Sequence, residues 1–228
     1  MFDEKLFIAA IEESFRMYKE HGARSTEKLK PLHRYVADVM KSIWSSGFDV
    51  HYMGQDTKEL KVTGKYYPKD IDVTITRNEK PIFCLGIKFV TSNYKQNANN
   101  YFESMMGETA NIQALDNLPY SQLIILRHET PYYKKNDPEN PAKIEIIKDK
   151  DIQKYLNLVF DHPQAHRPYF VGIQVINLDE KSGKVSLTNV QKSFSESVAK
   201  LLKEKLALSN FFKEIKQYKD YYSSKHNG

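Results

Sequence analysis

Apolar positions at three- and four-residue spacing open the chain. Phe7, Ile8, Ile11, Phe15 and Tyr18 predict an amphipathic helix over residues 3–20, closed by His21-Gly22. Ser25 or Thr26 suits the N-cap of a second helix, and Pro31 falls in its early turns, where proline costs little. Leu32, Tyr35, Val36, Val39, Met40 and Ile43 carry the apolar face of that helix to Ser45-Ser46-Gly47. The period then changes. Residues 48–53 alternate as a strand, whereas 54–66 are polar and assign to nothing. Ile71, Val73 and Ile75 alternate with Asp70, Asp72 and Thr74, which predicts one strand with a polar face. After a turn at 77–81, Ile82 to Val90 is a nearly continuous apolar run, as a buried central strand shows; Gly86 and Lys88 interrupt it.

Ala98, Phe102, Met105, Thr109 and Ile112 predict a helix over 97–116, and Leu123 to Leu126 a short buried strand. Pro131, Pro138 and Pro141 predict a loop over 129–142. A short helix over 152–160, a strand over 170–178 and a turn at 179–183 into a hairpin partner follow. Phe194, Val198, Leu201, Leu202, Leu206, Phe211, Phe212 and Ile215 predict one long C-terminal helix. This order of elements predicts an α/β (α+β) fold with a mixed central β-sheet flanked by helices. The expected organisation is a single domain over 1–228: two N-terminal helices (3–46), a core about 48–128, and C-terminal strands and helix about 143–222.

Composition narrows the classes. Lys+Arg 34 against Asp+Glu 29 makes the chain +5, compatible with a polyanion partner without demanding one. Cys84 is the sole cysteine, which excludes an internal disulfide and a cysteine-cluster metal site. No apolar run is long enough to span a bilayer, and Asp3 and Glu4 come too early for a secretory signal, so a cytoplasmic protein with no membrane association is expected. The glycines are isolated and no HExxH spacing occurs, so no organic cofactor and no zincin-type site is expected.

Two features of the central strands point to chemistry. Asp70 and Asp72 lie on one face of a strand whose other face is apolar, and Lys88 interrupts the most apolar run of the chain. A buried lysine needs compensation, and an aspartate on the neighbouring hairpin strand supplies it. The bland reading is an ion pair at a sheet edge. The sharper one is a metal-dependent phosphodiesterase site, in which carboxylates hold Mg²⁺ and a lysine orients the nucleophile or stabilises developing charge.

Pro68-Lys69-Asp70-Ile71-Asp72-Val73, followed by Gly86-Ile87-Lys88, resembles the motif of the PD-(D/E)XK nuclease superfamily, which includes most type II restriction endonucleases. The resemblance covers roughly residues 65–116 and implies a restriction endonuclease-like core. It implies that Asp72 is the family aspartate, with Asp70 second, that Lys88 is the catalytic lysine, and that Mg²⁺ is held by Asp72 and the Ile87 carbonyl. The family has an acidic residue where this chain has Gly86, fourteen residues after Asp72. Three explanations stay open: an inactivating change, an acid moved onto the following helix, or a degenerate site that binds without cutting. For the moved acid Glu103 ranks first and Glu108 second. Beyond Lys88 the segment 91–101 is rich in amides, and Ser92, Asn93, Lys95, Gln96, Asn99 and Asn100 are candidate DNA contacts. The implied activity is Mg²⁺-dependent, sequence-specific cleavage of double-stranded DNA by a homodimer, weakened or lost through Gly86. The alternatives are a non-catalytic DNA-binding protein on the same fold, or a repair or recombination nuclease.

Overall fold

A computed structural model describes residues 2–22, 25–54 and 57–226. Helix α1 (Glu4–His21) starts where the Asp3 side chain accepts from the Leu6 N–H, and it ends at Gly22, whose φ of 79° suits glycine. A 3₁₀ turn (Glu27–Leu29) leads into α2 (Lys30–Ile43), with Pro31 in its first turn as the sequence suggests. Strand β1 (Asp49–Tyr52) follows, then β2 (Leu60–Thr63), from the stretch that carried no readable pattern.

The strand expected through Asp70 and Asp72 is two strands. β3 (Pro68–Ile71) pairs antiparallel with β2 in a small separate hairpin, while β4 (Val73–Arg77) pairs with β1 and β5 (Lys80–Val90). Asp72 is the bend between them. The shared polar face expected for Asp70 and Asp72 is thereby corrected, because the chain changes sheets at the second aspartate. Helix α3 (Tyr94–Gln113) then leads to β6 (Tyr120–Arg127), which runs parallel to β5.

Residues 129–146, assigned in part to a loop on the strength of three prolines, form a hairpin of β7 (Glu129–Lys134) and β8 (Asp137–Ile146). It is a two-stranded sheet with register shifts beside Tyr133, and proline is tolerated where a strand has a free edge or an irregular ladder. After α4 (Asp149–Phe160) come β9 (Val171–Leu178), parallel to β6, and β10 (Val185–Leu187), antiparallel to β9. The single long C-terminal helix is also corrected. It is divided into α5 (Val190–Ser193), α6 (Glu196–Leu201), a π-helical turn (Leu202–Leu206) and α7 (Leu208–His226). Ala207 is extended, at φ −61° and ψ 141°, so the apolar spacing continues across a break that periodicity does not register.

The central sheet runs β1-β4-β5-β6-β9-β10 and is mixed, with helices packed against it. Phe7, Ile11, Val36, Met40, Phe211 and Ile215 from α1, α2 and α7 pack with Val73, Ile75, Phe83, Leu85 and Ile125. Tyr94, Ile152, Leu156 and Val198 from α3, α4 and α6 pack with Val90, Ile124, Ile173 and Val175. Side chains alternate along β5, so Phe83 and Leu85 belong to the first cluster, and Gly86 and Lys88 fall on the other face. Asn111 of α3 fastens the β2–β3 turn: its Oδ1 accepts from the Tyr66 N–H at 2.9 Å and its Nδ2 donates to the Tyr67 carbonyl at 2.9 Å. That contact sets the two-stranded hairpin against the helix. No helix among the described residues is long and apolar enough to cross a membrane.

Candidate functional site

A cleft of about 640 Å³ opens where the start of α2, β3, β5 and α3 meet. Asp72 is in its wall. Because the chain bends there, the Asp72 carboxylate turns toward β5 and accepts the Ile87 N–H at 2.6 Å. Burial pushes the Asp72 carboxyl up to about 6. The neighbouring Glu108 carboxylate adds to the rise, and the Ile87 hydrogen bond, Lys69 and Lys88 oppose it.

On one side of Asp72 stand His33 of α2 and Glu59, just before β2. One ligand atom from each of the three lies within 4.8 Å of the other two. His33 is fully buried, and its Nδ1 is 3.9 Å from Glu59 Oε1, too far for a hydrogen bond. Neither ring nitrogen has a hydrogen-bond partner among the described residues. Burial pushes the His33 pKa down to about 4 against the pull of Glu59, so the ring is neutral near pH 7. Burial and the Asp72 charge raise the Glu59 carboxyl. On the other side, Glu108 of α3 accepts from Lys69 Nζ at 2.8 Å and from the Tyr120 hydroxyl at 3.4 Å.

Lys88 also lines the cleft, but it is exposed rather than buried, and this corrects the sequence reading. Its ammonium lies 4.6 Å from the centre of the Tyr101 ring. The alternation of β5 carries it past the sheet's covered face to the cleft mouth, so no buried ion pair is needed. Asp70 lines the cleft too, but it is exposed and lies 4.0 Å from Lys61 across the β2–β3 hairpin.

Gly86 is buried in the cleft floor. A Cβ there would meet the Tyr120 hydroxyl at 2.6 Å and the Gln122 amide at 2.8 and 3.0 Å. The two side chains from β6 crowd the place a Cβ would take. Glu103 is exposed and stands outside the cleft lining, whereas Glu108, ranked second, is inside it. The cause is helical phase: residues five apart on α3 differ by roughly 140° about the axis.

The amide-rich segment divides in the same way. Asn93, in a left-handed conformation with φ 52°, donates to the Tyr133 carbonyl at 3.3 Å and accepts the Tyr133 N–H at 2.8 Å. Gln96 Nε2 and the Lys95 N–H both donate to Glu145 of β8, at 2.9 and 3.0 Å. These groups tie α3 to the β7–β8 hairpin, and the Asn93 amide spends one donor and one acceptor on the Tyr133 backbone. Ser92 is partly buried, and Lys95 and Asn99 are exposed; of the six candidates Asn100 is the one in the cleft lining.

Sequence reasoning missed His33 and Glu59. His33 sits three residues before Val36 and four before Ala37, both buried, so its place beside the apolar stripe of α2 was a usable signal. Glu59 lies in the unassigned stretch and offered none.

No protein-family model matches this chain, and no curated protein does. A solved structure described as a protein of unknown function, AF1548, is similar at 14% identity and a TM-score of 0.26, covering 45% of this chain and 47% of that one. The chain thus spans about half the length of that relative.

Proposed function

We propose that this protein is a divalent-metal-dependent nuclease acting on double-stranded DNA, with a restriction endonuclease-like core. The observation that carries the reading is Asp72, at the bend between two sheets and fixed by the Ile87 N–H, with Glu108, His33, Lys69 and Lys88 lining the same cleft and a Glu59 oxygen within 4.8 Å of the Asp72 and His33 ligand atoms. Carboxylates that burial makes reluctant to ionise, grouped with a neutral imidazole, suit a cation. His33, Glu59 and Asp72 would hold it, and Mg²⁺ is the ion the family resemblance implies. A bound divalent cation supplies charge stabilisation for a phosphodiester and a nucleophile at neutral pH.

The chain's own groups do the rest. Asp72 is held in one orientation by its backbone hydrogen bond. Lys88, exposed in the cleft lining, offsets the charge that grows on the phosphoryl oxygens. Lys69 donates to the Glu108 carboxylate at 2.8 Å and holds it beside Asp72 in the cleft lining. A water oxygen bonds to phosphorus as the P–O3′ bond breaks, leaving a 5′-phosphate and a 3′-hydroxyl. Sequence-specific cutting by a homodimer at a palindromic site is the finer form of this proposal.

Incubation of supercoiled plasmid and unmodified phage DNA with the chain, with and without divalent cations, tests it. Discrete cation-dependent fragments, lost in Asp72→Asn, are expected. No cleavage by well-folded protein with any divalent cation refutes it. Gly86, closed over by Tyr120 and Gln122, favours a second reading: a DNA-binding protein that does not cut. Retained duplex binding with no cleavage would select that reading.

A further inference from the structure

We propose that His33, Glu59 and Asp72 form a site for a first-row transition-metal cation, binding Mn²⁺ in preference to Mg²⁺. Within the metal-dependent reading above, this names the cofactor of the same cleft. Two carboxylates alone would suit Mg²⁺, which takes oxygen ligands, keeps several waters and demands near-octahedral geometry. The third donor changes the selectivity. His33 is fully buried with both ring nitrogens unpartnered among the described residues, and its Nδ1 faces the Glu59 carboxylate at 3.9 Å. A buried polar group without a partner is uncommon and costly, and a native structure normally has a reason for it. Here the nitrogen belongs to a group of three ligand atoms mutually within 4.8 Å, wide enough for a cation to bridge. Imidazole nitrogen bound with carboxylate oxygens raises affinity for transition metals over the alkaline earths. Glu108 is not needed, since Lys69 already neutralises it at 2.8 Å.

The test is a titration of the metal-stripped full chain with Mn²⁺, reading the free six-line EPR signal, with Mg²⁺ as competitor. Bound Mn²⁺ should survive about a tenfold excess of Mg²⁺. His33→Leu should weaken Mn²⁺ binding by about tenfold or more. It should also unfold in metal-free buffer at a temperature no lower than the wild type, since leucine leaves no nitrogen unpaired. Glu59→Gln, at a partly exposed position, gives the same reading should His33→Leu fail to fold, and Glu108→Gln should bind Mn²⁺ as the wild type does. Mn²⁺ and Mg²⁺ competing on equal terms, or unimpaired Mn²⁺ binding by folded His33→Leu or Glu59→Gln, overturns the proposal. Tight Mn²⁺ binding without DNA cleavage would uphold this site and sink the nuclease reading. Cleavage equally supported by Mg²⁺ and indifferent to His33→Leu would do the reverse.

Discussion

Gly86→Ala places a methyl group where the Tyr120 hydroxyl would be 2.6 Å away and the Gln122 amide 2.8 Å away. Contacts under 3.0 Å force a neighbour to move. Gln122 ends in a flexible amide and can swing into the cleft. Tyr120 is a rigid ring, 1% exposed, and its backbone is locked into the parallel ladder opposite Cys84. Overpacking of this kind costs about 1–3 kcal/mol. Replacing a strand glycine gives back up to about 1 kcal/mol through the unfolded chain. The net expectation is a loss of about 1–2 kcal/mol. At this chain length that is a fall in Tm of about 2–8 °C.

Urea unfolding followed by Trp44, the sole tryptophan and 1% exposed, measures the loss. Tyr120→Phe removes the atom at 2.6 Å, so Gly86→Ala should cost at least about 0.5 kcal/mol less in that background. An unchanged or raised stability of Gly86→Ala refutes the reasoning. So does an equal cost in both backgrounds. By the same geometry Gly86→Glu should be less stable still and gain no activity.

Other expectations follow from single contacts. Glu108→Gln, which removes the carboxylate partner of Lys69 inside the cleft, should lower plasmid cleavage about 10-fold by loosening Lys69, while Glu103→Gln leaves it unchanged; equal effects would contradict a positioning role for the Lys69–Glu108 pair. Asn93→Ala should destabilise by about 2 kcal/mol through two lost side-chain hydrogen bonds and the left-handed backbone, with Asn93→Gly recovering part; urea melts of both variants decide it. Burial pushes the Glu145 carboxyl up, but bonds from Gln96, the Lys95 N–H and Lys143 outweigh it, and its pKa ends below the usual 4.5. Its stabilisation is therefore full above pH 4.5 and lost as pH falls through the lowered value. The stability gap between wild type and Glu145→Gln should narrow from pH 7 to pH 3; a constant gap in urea melts at the two pH values would contradict the carboxylate's role.

Period alone located α1, α2, β5, β6 and β9, because each buries a face whose apolar spacing is set by 3.6 or 2 residues per repeat. It also made Asp72 and Lys88 conspicuous, since charge beside an apolar run is a local feature of sequence. What tertiary structure decided is which groups converge. The bend at Asp72 comes from neighbouring strands claimed by two sheets. The exposure of Lys88 depends on what covers β5, and which of Glu103 and Glu108 lines the cleft depends on the helical phase of α3. His33 and Glu59 reach Asp72 through contacts between residues far apart in the chain, which no spacing encodes. The closure over Gly86 is likewise written in Tyr120 and Gln122 on the next strand. Local pattern determines elements, whereas a site is a property of long-range packing.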